Sequence, residues 1–208
     1  MSECAFCNPE SIRTGLLDQT PNFYHRANVK GSMAPGHSMI ISKAHLPCYG
    51  SMPRFLDDEY LNFKEQIQKR VANAFADPIM IEQGIHGQSV FHAHTHFLPS
   101  VSEWYNFSNG TRFIDLVPEK IKVTPCKSLD DLKNIFEREG QYVSIEENGQ
   151  LYVCHTVGYE GLLRPVREFP ARLSGISHLL HWQTMPDSEK KKNEQWVTET
   201  ITKLHVSK

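Results

Sequence analysis

The stretch GQSVFHAHTHFLPS, Gly87 to Ser100, decides how this chain is read, because it sets histidine at positions 92, 94 and 96. With 11 histidines in 208 residues, random placement yields such an alternation about 0.03 times per chain, so the run asks for a chemical reason. β-prone residues between glycine and proline predict a strand. Strand side chains alternate faces, so the three imidazoles share one surface at roughly 7 Å intervals, while Phe91, Ala93, Thr95 and Phe97 take the other. Three uses suit such a row: a polar face of satisfied histidines, a metal site, or a nucleophile with helpers. A straight strand holds the outer two about 13 Å apart, too far for one ion, so at most one of the three joins ligands from elsewhere. A neutral imidazole nitrogen is also a competent nucleophile at neutral pH.

Outward from this run, the first half reads as strands around one long helix. NFYHRANV (22–29) and HSMIIS (37–42) are strand-like, with Ala34-Pro35-Gly36 as the turn between them. Tyr60, Phe63, Ile67, Val71 and Phe75 recur at three- and four-residue steps, which predicts one apolar helix face. Asp57 and Asp58 suit its start. PIMIEQG (78–84) reads as a further strand. In the second half, IKVTPC suggests a strand and SLDDLKNIFERE a helix capped by Ser128 with Asp131 three residues on. YVSIEENGQLYVCHTV signals a hairpin, because Asn148-Gly149 supplies the positive φ angles of a two-residue turn. A last helix is expected from Asp187 to about His205, with Trp196, Ile201 and Leu204 inside.

Composition bounds the partners. A formal net charge of -2 and 39% hydrophobic residues describe an ordinary globular chain with no broad basic surface for nucleic acid. No run of some 18 apolar residues and no leader-like N-terminus is present, so a cytoplasmic protein without a membrane partner is expected. Five cysteines are an odd number; Cys4 and Cys7 have the spacing of a zinc knuckle, a redox pair or plain buried thiols. Cys48, Cys126 and Cys154 read as structural thiols.

GQSVFHAHTHFL resembles the signature of the histidine triad (HIT) hydrolases and transferases. APGHSMIISKAH resembles the same family's Pro-Gly-His and Lys-x-His segment, and CAFC its N-terminal Cys-x-x-Cys. These landmarks stand in the right order over residues 4 to 98. The resemblance implies an α+β fold, a HIT-like antiparallel sheet with one long covering helix. Residues 1–105 are then a catalytic domain, and residues 106–208 an α+β C-terminal extension packed on it. It also implies an enzyme that attacks the α-phosphate of a nucleotide with His94, forming a nucleotidyl-histidine that water or another acceptor resolves. His96 and His37 are expected at the phosphate, Gln88 and Ser89 at phosphate or leaving group, and Asn28 at ribose. The loop EQGIHGQS leaves open whether Glu82 or Gln83 approaches the site. In metal-binding branches, the positions matching Cys4, Cys7, His45 and His92 hold a structural zinc ion. Expected substrates are dinucleoside polyphosphates or nucleoside phosphoramidates, with a nucleotidyltransferase or a zinc-braced nucleotide-binding module as alternatives. The family commonly dimerises, so a homodimer is a further expectation. Arg164, Arg167 and Arg172 in RPVREFPARL fit either a lid over the leaving group or a solvated helix face, and His155 fits a packed histidine.

Overall fold

The structure is a computed structural model that describes residues 4–107, 109–176, 180 and 185–206. Among these residues eight strands form: β1 (Leu16–Gln19), β2 (Phe23–Ala27), β3 (Ser38–Ser42), β4 (Pro78–Gly84), β5 (His94–Pro99), β6 (Val123–Cys126), β7 (Tyr142–Glu147) and β8 (Gln150–Cys154). They join into one sheet in the order β1-β2-β3-β5-β4-β7-β8-β6, each pair antiparallel. Among the described residues five α-helices accompany it: α1 (Pro9–Arg13), α2 (Asp57–Ala74), α3 (Leu129–Glu139), α4 (Pro165–Ser174) and α5 (Asp187–Leu204). The fold is α+β, as the sequence predicts. No helix among the described residues is long and apolar enough to cross a membrane.

Helix α2 buries Tyr60, Phe63, Ile67 and Val71, the stripe expected from their spacing, against Phe23, Ile40, Met80 and Phe97 on one face of the sheet. The opposite face presents Ile79, Ile81, Leu98, Val143 and Ile145, which pack with Trp104 and with Phe113, Phe169 and Trp196 from the second half of the chain. That cover stops short of His94 and His96, and the space left there becomes the cleft described below.

The second half also extends the sheet itself. Strand β7 pairs with β4 from Met80↔Glu146 to Gly84↔Tyr142, so β4 has a neighbour on both sides and all seven of its residues are buried. The hairpin β7–β8 turns through Asn148 and Gly149 at φ 52° and 74°, the left-handed angles that this dipeptide tolerates. Ser128 caps α3 by accepting from the Asp131 amide, and Asp131 in turn accepts from the Ser128 amide, a reciprocal cap worth about 1 kcal/mol. Cys48, Cys126 and Cys154 are free and buried.

On the α2 side, register aligns His25, Ile40, Thr95, Glu82 and Ser144 in one cross-strand row. Glu82 is buried there and accepts from the Tyr49 amide at 2.6 Å and from the Tyr142 hydroxyl at 2.6 Å. Burial still dominates, and lifts its carboxyl from an ordinary 4.5 to about 7 against the two donors and the field of Lys64. Tyr49, Tyr60, Tyr142 and Cys48 face it from the surrounding elements, and Lys64 is itself paired with Glu146 at 2.6 Å. The folded chain therefore holds a proton between pH 4.5 and about 7 that the unfolded chain releases, and this group's contribution to stability falls as pH rises through that window. From pH 6 to pH 8 the loss amounts to about 1 kcal/mol. In urea unfolding, wild type is expected to lose that much more than Glu82→Gln over the same two pH values. The buried histidines titrate in both proteins and cancel from the difference; parallel pH slopes would show Glu82 ionised throughout.

Candidate active site

The register places Met39, His96 and Ile81 side by side across β3, β5 and β4, with Ile41 beside His94. His94 and His96 therefore share the sheet face opposite α2, their ring centroids 5.0 Å apart. His94 Nδ1 lies 2.7 Å from the His92 carbonyl oxygen. A carbonyl can only accept, so Nδ1 carries the proton and Nε2 keeps a free lone pair. A second chain of bonds fixes His96. The Met33 amide donates to His37 Nδ1 at 3.1 Å, which leaves the proton of His37 on Nε2. That nitrogen sits 3.0 Å from His96 Nδ1 and donates to it. His96 Nε2 is consequently the protonated nitrogen, a donor beside the unprotonated Nε2 of His94. Burial holds all three rings neutral, lowering His94 to about 4 and His37 to about 3 and pushing His96 down as well.

His92 departs from the strand geometry expected of the run. Its amide bonds the Val90 carbonyl, and the Ala93 amide bonds Leu46, so residues 88–93 bend and β5 begins only at His94. The third imidazole thus leaves the shared face and turns toward Cys4 and Cys7. His92 Nε2 lies 2.7 Å from the Ser42 carbonyl and so holds the proton, while Nδ1 presents its lone pair to Cys4 Sγ at 3.4 Å and Cys7 Sγ at 3.6 Å. His45 Nδ1 is 3.2 Å from Cys7 Sγ. All four ligand atoms lie within 4.8 Å of one another. A tetrahedral ion with sulfur at about 2.3 Å and nitrogen at about 2.0 Å has edges of roughly 3.3 to 3.8 Å, so this donor set fits zinc. Phe6, inside the Cys4-to-Cys7 turn, stands edge-on to His92 and His94 with centroids 5.8 and 5.2 Å away.

Residues 17–103 match the family model of the HIT domain. The chain carries a HIT domain. Among solved structures it is similar to a Hit-like protein involved in cell-cycle regulation from Bartonella henselae, at 21% identity over 46% of this chain and 81% of that one, with TM-score 0.39. A zinc-bound histidine triad family protein from Mycobacterium smegmatis aligns at 18% identity over 53% of this chain and 81% of that one, with TM-score 0.40. Yeast Ap4A phosphorylase in complex with Ap4A aligns at 15% identity over 96% and 79%, with TM-score 0.42. No curated protein matches the sequence.

The HIT histidines open onto a cleft of about 400 Å³. Asn28 and Ser89 line it with His94 and His96. Gln83, rather than Glu82, is the residue of its pair that reaches the cleft, since Glu82 points into the α2 side. The pairing of Ile81 with His96 carries that information, as the next residue on the same face is Gln83. Two candidates stand elsewhere. Gln88 turns away to donate to the Pro47 carbonyl at 3.0 Å, and His37 is fully buried behind His96, where its Nε2 orients that ring. The sequence reading also missed Phe6, Arg26 and Lys30, which line the cleft with Arg164 and Arg167. Arg172 instead donates to the Leu116 carbonyl at 2.9 Å and lies over Phe169. His155 is held between Thr124 and Glu139 at 2.8 Å each.

Proposed function

We propose that this protein is a nucleotide hydrolase acting at an α-phosphate through a nucleotidyl-histidine intermediate on His94. One observation carries the reading: His94 offers an unprotonated Nε2 beside a protonated His96 Nε2, at the wall of a cleft that both rings line. The Nε2 lone pair attacks phosphorus, an N–P bond forms, and the bond from phosphorus to the leaving group breaks with its electron pair leaving on that group. His96 donates to a non-bridging oxygen whose charge grows in the transition state. His37 holds the proton of His96 on the correct nitrogen. Water then adds its oxygen to phosphorus, Nε2 regains the bonding pair, and the water's proton passes to solvent. Ser89 and Gln83 supply further polar groups to the phosphate, and Asn28 faces the ribose. Residues 1–105 form the catalytic unit and residues 106–208 the extension that closes it.

Zinc bound by Cys4, Cys7, His45 and His92 would be fully ligated and so supply bracing, with no open position for water. The residues so held place Phe6 against the His94 ring.

The test is acid-quench labelling with a panel of nucleotides labelled at the α-phosphate. Label is expected on the protein in an acid-labile bond, lost in His94→Ala and kept when His155, outside the run, is replaced. Labelling that survives loss of His94 sinks the mechanism. An intermediate resolved by phosphate or a sugar phosphate faster than by water would make the protein a nucleotidyltransferase.

A further inference from the structure

The cleft walls are not all built by the HIT domain. Arg26 and Lys30 come from the β2 end, while Arg164, Val166 and Arg167 come from the extension, and the described residues that line the cleft include no carboxylate. The extension is seated there by specific contacts. The Leu163 amide donates to His86 Nε2 at 3.1 Å and the Leu163 carbonyl accepts from Gln83 Nε2 at 3.3 Å, so the backbone groups of this buried residue are bound to the end of β4 and to the loop that follows it. Gly87, at φ 73°, lies so close that a Cβ there would stand 2.7 Å from the Leu163 carbonyl and 3.5 Å from Arg164 Cγ. The next residue after this anchor is Arg164, whose buried Nε has no hydrogen-bond partner among the described residues. Three residues on, Arg167 donates to the Gly31 carbonyl at 2.8 Å, the carbonyl that the Asn28 amide also approaches at 3.4 Å. Its field reaches both His37 and His96.

From this placement we infer that Arg164 and Arg167 are specificity-determining residues that hold an anionic leaving group, which assigns the cleft to nucleotides whose α-phosphate carries further phosphates. The inference rests on the reading of His94 as nucleophile and deepens it. A guanidinium gives phosphate two parallel charge-assisted bonds, and a leaving oligophosphate departs as an anion with the electron pair of the broken P–O bond, needing no proton. The amine released from a phosphoramidate is uncharged or cationic and gains nothing from these groups. Two cations from the HIT domain and two from the extension thus select between the two substrate classes at the leaving-group side of phosphorus.

The experiment compares kcat/KM for diadenosine tetraphosphate and adenosine 5′-phosphoramidate in wild type, Arg164→Ala and Arg167→Lys, and measures binding of inorganic tripolyphosphate to each by calorimetry. The ratio of tetraphosphate to phosphoramidate kcat/KM is expected to fall about 10- to 100-fold in Arg164→Ala. A fall of the same sense is expected in Arg167→Lys, which keeps a donor for Gly31 but loses the planar fork. Tripolyphosphate binding should weaken about tenfold in Arg164→Ala. An unchanged ratio, or a wild type active on the phosphoramidate alone, overturns the inference. If wild type processes neither compound, the nucleophile reading fails by itself. Tripolyphosphate then decides: weaker binding in Arg164→Ala upholds the arginine site, and equal binding or none overturns it.

Discussion

His94→Ala is expected to lower turnover at an α-phosphate by about 10⁴-fold or more, with no matching loss of stability. Among His37, His96 and His94 the substitution removes the group that presents a lone pair to the cleft, since His96 carries its cleft-side proton as a donor and His37 lies buried behind it, donating to His96. Water attacking directly would lack the two-step route through the N–P bond and would keep only the charge stabilisation from His96 and the cleft cations, which accounts for the residual rate. Stability should change little, because the ring surrenders one hydrogen bond to His92 and an edge contact to Phe6 while escaping the cost of burying a polar ring. Single-turnover rates on labelled nucleotide, with urea unfolding of the same preparations, check both halves. A loss under tenfold would move the chemistry off His94. A large loss accompanied by collapse of the fold would point to a structural histidine, and His94→Gln, which keeps a donor for the His92 carbonyl, separates these cases: it should restore stability and leave turnover low.

Much of this architecture is legible in the residues, for identifiable physical reasons. Helix α2 follows from its buried stripe, α3 from the reciprocal Ser128–Asp131 cap, and the β7–β8 turn from Asn148-Gly149; each is a local signal that tertiary packing did not override. The bend before His94 was not legible, because it depends on Ala93 bonding Leu46, a partner 47 positions away in a loop. Strict alternation therefore overcounts the shared face by one histidine. Nor does any local pattern say that β7 will pair with β4, as both strands are apolar enough to be buried beside any neighbour. Arg164 and Arg167 show the same limit from the other side. As sequence they fit a lid over the leaving group and a solvated helix face alike; the anchoring of Leu163 by Gln83 and His86 brings them to the cleft.

Loss of zinc is the second large effect expected. Purified protein should carry about one zinc per chain, Cys7→Ser should carry none, and the metal-free form should unfold at a distinctly lower temperature. With zinc free at about a thousand times its dissociation constant, binding to the folded state alone contributes about 4 kcal/mol. The remainder of the sheet keeps its own core, so the metal-free chain should stay folded and be less stable, unlike a small zinc finger. The cluster ties three distant segments: the turn holding Cys4 and Cys7, His45 after β3, and His92 before β5. Freed of the ion, the Cys4 and Cys7 thiols meet the imidazoles through sulfur contacts of 3.2 to 3.6 Å, which are weak bonds. Phe6 should then lose its fixed place on His94, so near-ultraviolet dichroism and proteolysis of the first dozen residues serve as readouts independent of turnover. Elemental analysis decides the point directly: a metal-free wild type with the same melting temperature before and after chelator would remove zinc from the account and leave Cys4 and Cys7 as plain thiols.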